Sequence, residues 1–199
     1  MSKIKNQNII TYGLHEKSNF KIKNISLQTK YSKFDIEINL PNQTKKVIKS
    51  LQLPLIGIHN IKNCCASIAV AVLMGISVSL IKKAILEFKG VQRRFNFIFE
   101  HENTIYYDDY AHHPTEIQSI LEGVKNVYND RKIISVFEPH RYSRISTLKK
   151  DFAKSCSKSN LVLLCPIYAA GERKNSNFRI EEFGKLISKL SKTQVIIIK

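Results

Sequence analysis

From Thr104 onward, apolar runs suited to strands alternate with segments of helical periodicity, and the connections between them are short. The strand candidates are 104–108, 132–137, 161–165 and 194–198, and the helix candidates are 114–128, 145–156 and 180–190. Ile117, Ile120, Leu121 and Val124 stand at i, i+3, i+4 and i+7, and Ile180, Phe183 and Ile187 at i, i+3 and i+7, so each of these helices has one apolar face. Strand-helix repetition of this kind implies an α/β fold with a parallel sheet and right-handed crossovers, Rossmann-like in organisation. In such a sheet ligands gather at the carboxyl ends of the strands.

Upstream the pattern is different. Residues 8 to 50 alternate short apolar and polar runs, as in Phe34-Asp35-Ile36-Glu37-Ile38, with breaks near 14–19 and 41–43. They read as an antiparallel meander. Small and apolar residues from Cys64 to Gly75 imply a closely packed helix ended by Gly75, and a second helix is expected over 79–88. A domain boundary is expected near 94–103, giving a first domain over 1–97 and a second over 98–199.

The charge is lopsided: 32 Lys and Arg against 16 Asp and Glu give a net +16. That implies anionic partners. Basic residues are spread along the chain without a recognition-helix, zinc-finger or aromatic RNA-binding signature, so no nucleic-acid partner is expected. No apolar run reaches the roughly 20 residues that span a bilayer, and Met1–Asn6 lacks the apolar core of a secretory signal. A cytoplasmic protein with no membrane partner is expected. Cys64, Cys65, Cys156 and Cys165 form no C-x-x-C pair and read as reduced, buried thiols.

Five polar segments break the apolar pattern. Gly57-Ile58-His59-Asn60-Ile61-Lys62-Asn63 offers imidazole and amide groups near a helix start, where free N–H groups favour anions; capping by Asn60 explains it equally well. Gly90-Val91-Gln92-Arg93-Arg94-Phe95 suits phosphate contact through guanidinium, although a solvated arginine pair on a linker is the more common reason for such a pattern. Asp108-Asp109-Tyr110-Ala111-His112-His113-Pro114-Thr115-Glu116 runs from a strand end into a helix. Pro114 fits its first turn, His113 its cap and Glu116 its dipole. The paired carboxylates suit ribose hydroxyls or a cation, and His112 suits carboxylate contact or proton transfer. In Glu138-Pro139-His140-Arg141-Tyr142-Ser143-Arg144, two arginines three apart are able to converge on one carboxylate or acyl phosphate, or else form a basic surface loop. Tyr168-Ala169-Ala170-Gly171-Glu172-Arg173 follows the third strand with small residues that permit close approach.

In this order these segments resemble the UDP-N-acetylmuramate:L-alanine ligase branch of the Mur ligases, the Pro139–Arg144 segment being the mark that separates it from the murein tripeptide ligases. The resemblance implies ATP-dependent formation of an acyl phosphate on UDP-N-acetylmuramate and its attack by the amine of L-alanine, in peptidoglycan precursor synthesis. It places His59, Asn60, Asn63, Arg94 and Asp109 at the ATP, and Tyr110, His112, His140, Arg141 and Arg144 around the alanine and the acyl phosphate. Of these, His112, Arg141 and Arg144 carry the catalytic roles. Mg²⁺ is implied as well, its ligands expected mainly in an upstream part.

Asn96, Glu138 and Cys165-Pro166 depart from the usual pattern beside its motifs, where Glu, Gln and an acidic residue are frequent. More consequential, no G-x-x-G-K-[ST] phosphate loop occurs in the 199 residues. The expectation is the later part of a central ATP-binding domain followed by a C-terminal domain truncated near its end, inactive alone and partnered by the missing N-terminal domains. The alternatives are the murein tripeptide ligase of cell-wall recycling and a non-catalytic nucleotide-binding fragment.

Overall fold

The computed structural model describes residues 9–173 and 177–198, so the Met1–Asn6 reading lies outside the described residues. The chain separates into two compact units, one ending at Gly90 and one beginning at Val91.

The first unit is a four-stranded sheet in the order β1 (Tyr12–Gly13), β2 (Phe20–Leu27), β3 (Ser32–Ile38) and β4 (Lys46–Leu53). β2, β3 and β4 are antiparallel as expected, but β1 joins β2 in parallel. The pleat sends Phe34, Ile36 and Ile38 to one buried face. There they meet Ile61, Cys65 and Ile68 of helix α1 (Ile58–Leu73) and Ile81 of α2 (Val78–Leu86). α1 starts six residues before the expected helix because Gly57, at φ 99, serves as its N-cap without a side-chain bond. It ends as read: Gly75, at φ 79, donates to Val72 O and Ile76 to Ala71 O, closing the last carbonyls in a Schellman motif.

The second unit holds a hairpin and a parallel sheet. Strands β5 (Asn96–His101) and β6 (Thr104–Asp108) pair antiparallel across Glu102-Asn103, both at positive φ. That is the geometry of a tight two-residue hairpin. The expectation that 104–108 belongs to the parallel sheet is therefore corrected: β6 is hydrogen-bonded to β5, and the parallel sheet is three-stranded, β7 (Ile134–Phe137), β8 (Leu161–Leu164) and β9 (Gln194–Ile197). Helix α3 (Pro114–Val127) follows β6. The expected helix over 145–156 is two helices, α4 (Tyr142–Thr147) and α5 (Lys149–Ser155), broken at Leu148, whose φ of −110 is not helical. Helix α6 (Ile180–Ser191) connects β8 to β9. Phe137, Val162 and Leu164 pack against Ile145, Phe152, Phe183 and Ile187 in one core, which fixes the carboxyl ends of β7 and β8 side by side.

Candidate functional site

In the second unit, the segment 109–113 after β6, the turn 138–141 after β7 and the loop 165–173 after β8 come together. Main-chain bonds fix the last two to each other. Cys165 donates to Phe137 O at 2.9 Å, Tyr168 to Pro139 O at 2.9 Å and Arg141 to Tyr168 O at 2.9 Å. Arg144 Nη1 donates to the His112 carbonyl at 3.3 Å, which ties α4 to the first segment.

They border a cleft of about 520 Å³. Its walls carry Asp108, Asp109, Tyr110 and His112 from the first segment, Glu138 and His140 from the second, Tyr168 from the third, and Arg93. The rings form a chain: Tyr110 stands 5.0 Å from His112 and edge-on to His140 at 5.6 Å, and His140 lies 4.7 Å from Tyr168. Of the residues expected around an amino acid, Tyr110, His112 and His140 line the cleft and Arg144 is bonded to its edge. Arg141 is not part of the lining. It is exposed at the N-cap of α4 with φ 66, a left-handed conformation that non-glycine residues seldom adopt. Arg93 and Tyr168 were given no individual role from sequence, but each stood in a segment that was singled out, Arg93 beside Arg94 and Tyr168 after the third strand.

Local bonds set the tautomers of the two histidines. His112 Nδ1 lies 2.9 Å from the Tyr110 carbonyl, which only accepts, so Nδ1 carries the proton and Nε2 is the basic nitrogen. His113 is the opposite: its Nδ1 accepts from Thr115 N–H at 3.4 Å as the N-cap of α3. Glu116 completes that capping box, taking the His113 N–H at 3.2 Å and the His112 N–H at 3.0 Å. Burial raises the Glu116 pKa, but the His112 N–H, the His112 ring and Arg94 outweigh it and hold it below the ordinary value.

Asp109 is a latch. Its oxygens accept from Phe95 N–H at 2.7 Å and Ala111 N–H at 2.6 Å, while Tyr110 N–H reaches Arg93 O at 2.8 Å. Burial pushes the Asp109 pKa up in spite of the Phe95 and Ala111 N–H groups. Carboxylate oxygens accept more than one bond each, so a ribose hydroxyl is chemically compatible with the latch. Arg94 is exposed and pairs with Glu116 at 3.5 Å, outside the cleft lining.

The expected nucleotide residues His59, Asn60 and Asn63 lie in the first unit, in the opening turns of α1. Asn60 is not the cap: its Nδ2 donates back to Ile56 O at 2.8 Å. Burial lowers the His59 pKa, favouring the neutral ring, and His59 and Asn63 share a helix face at i, i+4. Among the described residues no group of three or more His, Cys, Asp or Glu side chains converges as a metal-ligand set.

Residues 93–198 match the family model "Mur ligase, glutamate ligase domain", and residues 1–71 match "Mur ligase middle domain". The UDP-N-acetylmuramate–L-alanine ligase of Pelagibacter ubique is 51% identical over 199 residues, all of this chain and 43% of that protein. The corresponding ligase of Agrobacterium fabrum is 41% identical over 86% of this chain and 36% of its own length. The crystal structure of UDP-N-acetylmuramate-alanine ligase from Thermotoga maritima, 27% identical, superimposes with a TM-score of 0.74 over 95% of this chain and 39% of that one. This chain thus spans about two fifths of the length of the relatives it matches. The chain belongs to the Mur ligase family.

Proposed function

We propose that these residues serve an ATP-dependent ligase that joins L-alanine to UDP-N-acetylmuramate in peptidoglycan precursor synthesis. Residues 1–97 are then the later part of its central ATP-binding domain, and 98–199 its C-terminal domain. The observation that carries the reading is the gathering of Tyr110, His112 and His140 at one cleft, with Arg144 bonded to its edge. The 51% identity to a ligase of that name supports the choice of substrate.

In the reaction, transfer of the γ-phosphoryl group of ATP to the lactyl carboxylate yields ADP and an acyl phosphate. The alanine nitrogen attacks the acyl carbon; the C–N bond forms, the C–O bond to phosphate breaks, and phosphate leaves. Arg141 and Arg144 neutralise the alanine carboxylate and the charge that grows on the leaving oxygen, through charge-assisted bonds. Tyr110 and Tyr168 line the cleft in which the anhydride is attacked. His112 Nε2, left basic by the Tyr110 bond on Nδ1, accepts the proton released by the attacking amine. His59, Asn60, Asn63, Arg94 and Asp109 serve the nucleotide. Mg²⁺ would neutralise phosphate charge when bound; the described residues form no ligand set for it.

The test joins this chain to the remaining segment of its Pelagibacter ubique relative and measures phosphate release with ATP, Mg²⁺ and UDP-N-acetylmuramate. Release that requires L-alanine is the expected result, and the 199 residues alone should release none. Release supported by the murein tripeptide and not by L-alanine contradicts the reading.

A further inference from the structure

The turn that delivers His140, Arg141 and Arg144 is weakly held by its own residues. Arg141 is the N-cap of α4, makes no capping bond with its side chain and sits at φ 66. The grip comes from the loop after β8. Tyr168 pairs with the turn through the bonds to Pro139 and Arg141 described above, a single parallel bridge at His140. Four residues further on, Glu172 reaches the first turn of α4. One of its oxygens accepts the Ser143 N–H at 3.0 Å and the other the Ser143 hydroxyl at 2.5 Å. The Ser143 hydroxyl and N–H, then the Tyr142 N–H and the charge of Arg141, hold the Glu172 pKa below its ordinary value. Free N–H groups in a first helical turn are those that an N-cap side chain normally satisfies. Here a carboxylate 29 residues away in sequence satisfies them.

We propose that Glu172 is the positioning residue for Arg141 and Arg144: it caps α4 from the neighbouring loop and so fixes the turn that presents both guanidinium groups to the carboxylate of the amino-acid substrate. For the role of the arginines this rests on the proposed ligase reading. Glu172 itself touches no reacting atom. Its carboxylate is consumed by α4, and its loss leaves both arginines present but the turn free to leave the left-handed conformation at Arg141.

The experiment uses the 199-residue chain, isotope-labelled, as wild type, Glu172→Ala and Glu172→Gln. Amide exchange at Tyr142 and Ser143 should be roughly tenfold faster in Glu172→Ala, the scale of losing a helix cap, with Glu172→Gln in between because it keeps one acceptor. Exchange at Val162 and Leu164, in the core strand β8, should not change. The Ser143 amide proton should report the Glu172 carboxylate titrating at acidic pH in the wild type and lose that response in Glu172→Gln. Added L-alanine should move the Arg141 and Arg144 Nε–Hε resonances in the wild type and move them severalfold less in Glu172→Ala. Unchanged Ser143 exchange in Glu172→Ala overturns the proposal. Equal acceleration at Val162 also overturns it, because Glu172 is then a general stabiliser. Wild-type arginine resonances blind to L-alanine, with Ser143 still freed by the substitution, uphold the clamping of the turn and refute the alanine reading instead.

Discussion

Replacing Glu116 by alanine removes three bonds at once: the N–H groups of His112 and His113 lose their acceptor, and Arg94 loses its partner. The bond to the His113 N–H closes the capping box of α3, whose other half is the His113 ring. Loss of a helix cap costs about 1–2 kcal/mol. The Arg94 pair is half-exposed and adds little. For a unit of this size that corresponds to a melting temperature lower by about 5–12 °C. Scanning calorimetry at neutral pH reads the loss directly, and Glu116→Gln, which keeps one acceptor, should lose less than half as much. The pH dependence has a definite sign. The folded-state pKa of Glu116 lies below the ordinary 4.5, so its contribution is present above that value and disappears as pH falls through the lowered folded value. Glu116→Gln should erase that acid-dependent increment. An unchanged melting temperature in Glu116→Ala refutes the capping argument.

Three further outcomes follow from the packing. Phe152→Ala, at 1% exposure in the core beneath β7 and β8, should cost about 3–5 kcal/mol in urea unfolding; a loss under 1 kcal/mol contradicts that core. Gly57→Ala introduces a Cβ 2.8 Å from the His59 ring at a φ of 99, so it should destabilise the chain by about 1–3 kcal/mol and displace the His59 C2–H resonance, and failure of that resonance to move contradicts the placement of His59. Burial pushes the Cys64 thiol to about 12 and Cys65 and Cys156 to about 11, whereas Cys165 is raised less. Iodoacetamide at pH 8 should therefore alkylate Cys165 first, and mass mapping that finds Cys65 or Cys156 ahead of it counts against the structure.

Where a residue carries its own conformational rule, the fold was readable before the structure. Pro114 and His113 open α3, Gly75 closes α1, and the period of two in β3 marks its buried face. Readings failed where the decisive partner is distant or the rule is broken. The start of α1 was missed because Gly57 caps it without Ser, Thr or Asp. β5 went unread and the domain boundary was placed across it, because a bulge between Phe97 and Phe99 breaks its alternation, and β6 was placed in the parallel sheet because nothing local reveals that β5 claims its edge. Leu148 gives no warning of the break between α4 and α5. At the site, the polar segments after β6, β7 and β8 stood out as residues that packing does not require. Their mutual arrangement did not, since the bond from Arg144 to His112 and the grip of Glu172 on Ser143 span 32 and 29 residues.

The central claim is that Arg141 and Arg144 hold the carboxylate of the amino acid and not the nucleotide. It is tested most directly by measuring KM for L-alanine and for ATP in the joined ligase carrying Arg144→Lys. A lysine keeps the charge and loses the forked donors, worth about 1.5–3 kcal/mol, so KM for L-alanine should rise roughly tenfold to a hundredfold with KM for ATP unmoved. A rise confined to ATP, with L-alanine unaffected, contradicts the account.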